Sequence, residues 1–326
     1  MKRALALAAL LAGCTSFPDP DLVVDLRVLA ISAELPEQVV DVDLKDPEMP
    51  AVLLQQLVPT QVCALVADPA FERRLRWTMT LCPYGDYYRC DDDVQVPIGS
   101  GIIDDPDTTS PEPRLCATVP ANGQLLGVLL HTLKFDALGG LGGIDYLISL
   151  TIGGLDADPA LDLYAAKDLR VAPRIPMARQ ANVNPALDVM HEMDASVNSA
   201  PAEPFALVRC ADAEPALSVR AGDTIRWTPI EAANAREDYV TPTLDGMGRM
   251  FTESLTYQWS ASGGGFSSGS TGGPRDISGN TAPLFTDWHA PNARDLAGPT
   301  DVTLWIIQRD ERLGVHWYES CVRVVP

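Results

Sequence analysis

Ser267, Asp287 and His289 are the residues whose types and order could perform nucleophilic chemistry in this sequence. Gly265-Phe266-Ser267-Ser268-Gly269 matches the Gly-x-Ser-x-Gly elbow, and an acid and a base follow it in the order such hydrolases use. The elbow works by holding its serine in a strained turn between a strand and a helix. Here the serine lies inside Gly263-Gly264-Gly265-Phe266-Ser267-Ser268-Gly269-Ser270-Thr271-Gly272-Gly273-Pro274, a Gly/Ser stretch that reads as a loop no helix can follow. His191-Glu192-Met193-Asp194 opens like a zincin motif, but Ala195 stands where the second histidine ligand belongs. Gly139-Gly140-Leu141-Gly142-Gly143 lacks the spacing and following helix of a dinucleotide loop. His131 lies in an apolar run and reads as a packed side chain. The sequence therefore argues against an enzyme. A secreted hydrolase using Ser267, Asp287 and His289 is the alternative.

Two acidic clusters could hold a cation. Asp91, Asp93, Asp104 and Asp107 are the candidate calcium ligands, because calcium takes six to eight oxygens and loops between strands can converge carboxylates. Neither cluster has the Asp-x-Asp-x-Asp-Gly spacing of a defined calcium loop, so solvated acidic loops are the plainer reading and no cofactor is expected. A calcium-stabilised adhesin remains a further reading. Trp77, Trp227, Trp259, Trp288, Trp305 and Trp317 could line a sugar-binding face. Trp77, Trp259 and Trp305 sit in alternating segments and are expected in the core. Trp288 lies outside any clear strand and is the expected exposed contact.

The start of the chain carries the sharpest signal. Met1-Lys2-Arg3 is basic, Ala4 to Leu11 holds only Ala and Leu, and Leu11-Ala12-Gly13-Cys14 ends it. A basic segment, an apolar run and small residues before a cut form a secretory signal, and the run is too short for a lasting membrane span. Leu11-Ala12-Gly13-Cys14 resembles the lipobox of bacterial lipoproteins. That resemblance implies diacylglyceryl transfer to the Cys14 thiol, cleavage after Gly13, and a membrane anchor of several acyl chains. Thr15, rather than Asp, follows the cysteine, which favours the outer membrane.

Six cysteines remain after Cys14, and an even number in an exported chain points to disulfides. Six allow 15 connectivities. Four lie in the first half and two in the second. Pairing within halves joins Cys210 to Cys321, and Cys82 and Cys90 flank a turn, which favours Cys82–Cys90 with Cys63–Cys116. The formal charge of −20 becomes −22 when Lys2 and Arg3 leave with the signal, and such a surface excludes nucleic acid as a partner.

The elements that must carry these residues are strands. Residues 22–30, 60–66, 74–81, 146–152, 217–220, 224–228, 254–260, 302–308 and 316–325 are β-branched or alternate apolar with polar. The runs 124–132 and 205–210 are also expected as strands. Short helices are allowed only at 157–168 and 229–238. Each half has a turn, a β-branched strand and then a strand with a central Trp, at Trp77 and Trp259, a weak internal repeat. Tyr257-Gln258-Trp259-Ser260-Ala261-Ser262-Gly263-Gly264 and Asp301-Val302-Thr303-Leu304-Trp305-Ile306-Ile307-Gln308-Arg309-Asp310 resemble the third and penultimate strands of immunoglobulin-like or PKD-like modules of bacterial surface proteins. The Gly-Asp-Gly turn of PKD modules proper is absent. Arg27-Val28-Leu29-Ala30 and Asn182-Val183-Asn184-Pro185 are similar to segments of two-module lipoproteins of Gram-negative bacteria.

The expectation is all-β: two immunoglobulin-like β-sandwiches in tandem after a lipoprotein signal peptide. Residues 1–13 are the signal, 14–21 a lipidated leader, 22–174 the first sandwich, 175–184 a Pro-rich linker, and 185–326 the second sandwich. The expected function is a non-enzymatic envelope lipoprotein, held to the membrane by lipid and acting as a spacer or as a binding module for a protein or glycan.

Overall fold

The computed structural model describes residues 19–69, 74–85, 89–90, 94–104, 115–203, 207–215, 217–245 and 247–326. Cys14, Asp91, Asp93 and Asp107 lie outside the described residues.

The first sandwich contains β1 (Arg27–Ala33), β2 (Glu37–Val40), β3 (Thr60–Ala67), β4 (Leu75–Pro83), β5 (Val96–Ile103), β6 (Cys116–Val119), β7 (Ile144–Gly154) and β8 (Leu163–Pro173). One sheet has the order β1-β3-β6 and the other β2-β8-β7-β4-β5. The second contains β9 (Met193–Val197), β10 (Ala200–Pro201), β11 (Leu217–Arg220), β12 (Thr224–Pro229), β13 (Asp238–Pro242), β14 (Gly248–Thr252), β15 (Thr256–Ala261), β16 (Gly265–Phe266), β17 (Ser270–Gly272), β18 (Thr286–His289), β19 (Thr300–Arg309) and β20 (Val315–Val325). Its sheets are β10-β9-β12-β18-β16 and β11-β20-β19-β15-β17, with β13 and β14 as a separate hairpin.

The two halves repeat one topology. The trio β1-β3-β6 corresponds to β9-β12-β18, and β2-β8-β7-β4-β5 corresponds to β11-β20-β19-β15-β17. In both, a short strand runs parallel to the last strand, β2 to β8 and β11 to β20, while the neighbouring pairs are antiparallel. This arrangement is the immunoglobulin-like sandwich, and the chain carries it twice.

Alternation builds both cores. Leu75, Trp77, Met79 and Leu81 of β4 face Tyr146, Ile148, Leu150 and Ile152 of β7 in the first core. Tyr257 and Trp259 of β15 join Val302, Leu304 and Ile306 of β19 in the second. The two repeat tryptophans meet equivalent strands by different means. Trp77 lies against β5, where a Cβ added at Gly101 would come 2.8 Å from its Nε1, so glycine lets the ring approach the backbone. Trp259 Nε1 instead donates to Thr271 Oγ1 of β17 at 2.9 Å, satisfying a polar atom inside the core.

Four expectations are corrected. The run 124–132 is not a strand; it lies in a helix, Gly123–Leu133, here called α2 because α1 (Met49–Gln56) precedes it. Asn122 caps α2 by accepting from Gln124 N at 2.8 Å. Leu125, Val128 and Leu129 face the core at helical spacing, and His131 sits in this helix beside Phe135. No helix forms over 157–168: a 3-10 turn at Pro159–Leu161 leads into β8, whose pairing with β7 outweighs the Ala-rich propensity. Residues 229–238 finish β12 at Pro229, bridge to Leu187 at Glu231 and turn before β13 begins at Asp238. Leu207 to Cys210 is not strand either; the ladder position beside β12 belongs to β9, around the acidic Met193-Asp194.

Three disulfides close the fold: Cys63–Cys116, Cys82–Cys90 and Cys210–Cys321. Cys63 and Cys116 stand directly opposite each other on β3 and β6. Cys210 instead ties the segment after β10 down onto β20.

Candidate functional site

The residues of the candidate hydrolase are neighbours, but each is engaged elsewhere. β16 and β18 pair with Gly265 opposite His289, which brings Ser267 beside Asp287. Ser267 Oγ accepts from Asp287 N at 3.0 Å, so the contact is to the backbone and not to the carboxylate. The Asp287 carboxylate takes both donors of Arg226 at 2.8 and 2.9 Å, which holds it below the usual carboxylate range. His289 Nδ1 meets Thr224 Oγ1 at 3.0 Å. A nucleophile–base–acid relay needs Ser to His to Asp contacts, and these bonds are Ser to backbone, Asp to Arg and His to Thr.

Of the calcium candidates, Asp104 is described, and its carboxylate pairs with Arg74. No cluster of three or more His, Cys, Asp or Glu with metal-site geometry occurs among the described residues. His191 pairs with Asp194 at 2.8 Å. The tryptophans divide differently from the expectation at one point. Trp77, Trp259 and Trp305 are buried as expected, but Trp288 is also fully buried, in β18, and donates to Gly263 O at 3.0 Å. Its neighbours Pro283 and Pro291 obscured a four-residue strand. Trp317 is the half-buried one.

What the sequence hid is the seam between the sandwiches. Glu37 of β2 is buried and accepts from Arg179 Nη2 at 2.9 Å, Asn182 N at 3.1 Å and Arg312 Nη2 at 2.6 Å. Arg312 sits in the β19–β20 turn of the second sandwich, reaches Glu253 at 3.4 Å, and stacks over Tyr239 of the β13–β14 hairpin. Burial pushes the Glu253 carboxyl up to about 7. Asn184 joins the halves by donating to Ala33 O at 2.7 Å and accepting from Val315 N at 2.9 Å. Lys167 of β8 donates to Leu313 O, and burial lowers its amine to about 8. The segment expected as a linker thus supplies buried Arg179 and Asn182 to the junction. An apolar layer of Val23, Leu29, Leu65, Trp305, Ile307 and Val315 lies beside these polar contacts.

The leader also docks. Ala261 N donates to Asp21 O at 2.9 Å and Val23 N donates to Ala261 O at 2.8 Å, a short parallel bridge at the end of β15. Val23 is fully buried there.

No family model and no curated protein matches the chain. Among solved structures it is similar to Escherichia coli alpha-2-macroglobulin, with 9% identity, TM-score 0.23, and coverage of 93% of this chain but 17% of that one. It is also similar to PorU of Porphyromonas gingivalis, with 8% identity, TM-score 0.17, and coverage of 92% of this chain and 34% of that one. An endo-fucoidan hydrolase of glycoside hydrolase family 107 gives 7% identity, TM-score 0.15, 57% of this chain and 19% of that one. The chain spans a minor part of each neighbour's length. These similarities are faint, and the fold assignment rests on the strand order above.

Two open clefts flank the seam. One, of about 600 Å³, lies between Leu138, Leu141 and Gly142 of the first sandwich and Pro242 and Leu244 of the hairpin. The other, of about 300 Å³, lies between β1 and β3 on one side and β20 on the other, with Trp317 in its wall. The hairpin beside the first cleft exposes Leu244, Met247 and Met250.

Proposed function

We propose that this chain is a non-enzymatic, lipid-anchored protein of the bacterial cell envelope, tethered through Cys14, most simply to the outer membrane. Its two sandwiches form a binding module for a partner in the envelope space. The observation that carries this reading is the position of the leader relative to the β13–β14 hairpin. The leader bonds at Ala261, the last residue of β15, whereas the open end of the hairpin, at Thr252, leads into its first residue, Thr256. Six strand residues at about 3.3 Å each separate the two ends by roughly 17–20 Å. A tether on the leader therefore leaves Leu244, Met247 and Met250 at the end remote from the lipid. Exposed methionines are adaptable contact residues, and a cluster of them on a surface otherwise rich in carboxylates marks a docking face.

The seam supports the same reading. Glu37, Arg179 and Arg312 lock the two sandwiches at a fixed relation, so the hairpin is carried on a rigid base. A photo-crosslinking residue at Met247, expressed in the native envelope, is expected to give a discrete adduct that the triple change of Leu244, Met247 and Met250 to Ser abolishes when the probe is moved to Thr243. Absence of any adduct at both positions contradicts the binding role of the hairpin.

A further inference from the structure

We propose that the cleft between β1, β3 and β20 is a saccharide-binding site, taking one or two pyranose rings of uncharged, gluco-configured sugar across the seam. The inference deepens the binding-module reading and rests on it.

The cleft has the makeup of a carbohydrate site. Its volume, about 300 Å³, is at the lower end of small-ligand sites and suits one or two sugar rings. Trp317 lines it, half-buried, with part of its ring against the seam's apolar layer. An indole face is the usual surface on which a sugar ring lays its C–H face, because the ring's quadrupole attracts those weakly positive hydrogens. Glu34 and Gln61, both exposed, come from the opposite side of the cleft. Among the described residues neither side chain is spent on another hydrogen bond. A carboxylate accepts from two vicinal hydroxyls, and an amide both donates and accepts, so the pair fits the mixed donors of a polyol. His316 adds a third polar group. Burial lowers its imidazole below the ordinary range, against a hydrogen bond to the Pro185 backbone.

The same residues set the specificity. A gluco-configured ring keeps its hydroxyls equatorial, which leaves C–H bonds on both faces to lie on Trp317; an axial hydroxyl covers one of those faces. Glu34 and the net charge of −20 reject a uronic acid or a phosphosugar. The wall residues come from both sandwiches, so an occupant contacts Glu34 and Gln61 of the first and Trp317 of the second at once.

The test uses the full chain extracted from membranes in a detergent without a sugar headgroup. Cellobiose and N,N′-diacetylchitobiose are titrated while tryptophan fluorescence and calorimetric heat are followed. The site is expected to saturate at or below about 1 mM. Glu34→Gln and Gln61→Ala, both on exposed side chains that leave the cores intact, are each expected to weaken binding on the order of tenfold. Trp317→Phe keeps the aromatic packing and is expected to remove the fluorescence response. Glucuronic acid is expected to give no response. No saturable response to either disaccharide up to about 10 mM overturns the proposal, as does binding that all three variants leave unchanged. Loss of the hairpin adduct at Met247 with sugar binding intact would sink the docking role of the hairpin alone, so the two failures read differently.

Discussion

Arg312 Nη2 and Glu37 Oε2 meet at 2.6 Å between the two sandwiches, with Glu37 only 3% exposed. The guanidinium comes from the turn between the last two strands and the carboxylate from the second strand, so 275 positions of sequence are closed by one contact. Arg179 takes the other carboxylate oxygen. A carboxylate can be buried at this depth only because three donors replace its water.

Arg312→Ala leaves Glu37 and Glu253 buried with a missing cation. Breaking a buried pair from one side costs about 3–5 kcal/mol, much of it the penalty of the stranded charge. Urea unfolding of the variant is expected to show that loss together with separated transitions for the two halves. An unchanged, single transition would show that the apolar layer alone joins them.

Glu319 makes stability pH-dependent. Burial pushes its carboxyl up to about 8 from 4.5, against the Trp305 Nε1–H that donates to it at 3.0 Å. Between those two values the folded chain keeps a proton that the unfolded chain has released. Folding therefore takes up a proton in this window, and stability falls as pH rises from about 4.5 to about 8, then levels. The drop attributable to this group is on the order of 3–5 kcal/mol. Glu319→Gln is expected to reduce the slope between pH 5 and 8 in a series of urea midpoints, leaving the part that the raised Glu253 carboxyl contributes up to about pH 7; a parallel curve for the variant would contradict it.

The disulfides are expected to differ in weight. Cys210–Cys321 closes a separation of 111 residues and Cys82–Cys90 one of 8. Loop-closure entropy assigns about 4–5 kcal/mol to the first and about 2–3 kcal/mol to the second. Paired Cys→Ala variants, compared by denaturant unfolding, are expected to rank in that order, and the reverse ranking would mean that native contacts dominate chain entropy.

Trp288 belongs to the core and not to a contact surface. Trp288→Ala is expected to cost about 3–5 kcal/mol, as for any large buried ring, and to leave ligand binding at the Trp317 cleft intact once folded. A variant within 1 kcal/mol of the parent chain would return Trp288 to the surface.

How much of this was legible follows from what each signal depends on. β4 and β15 were readable because one face meets a core and the other is more open, which stamps a period of two on the residues; β3 and β19 were readable as short β-branched apolar runs, since the seam's apolar layer buries their second face as well. The repeat of Trp77 and Trp259 was readable for the same reason, and cysteine placement in the two halves favoured the observed pairs. α2 was not, because the short run Leu125-Leu126-Gly127-Val128-Leu129-Leu130 reads as strand or helix alike; only Asn122 as a cap and the 125, 128, 129 spacing distinguish them. The seam left no local pattern. Glu37, Arg179, Asn182 and Arg312 are polar residues far apart in sequence, each ordinary by itself, and they become a site only when the second sandwich closes on the first. The docking of the chain's start was likewise opaque: Leu22-Val23-Val24 reads as the start of a strand, but nothing local says that its partner is Ala261 of the second sandwich.

The most direct test of the account is acylation of Cys14 in the native cell. Cells fed a clickable fatty acid and expressing the wild-type chain or Cys14→Ser are fractionated, and both label and protein are followed. The wild-type chain is expected to carry label and sediment with membranes, and the variant to be unlabelled and to remain uncut after Gly13. A wild-type chain without label, or a Cys14→Ser chain that keeps it, would contradict the anchor on which the proposed function depends.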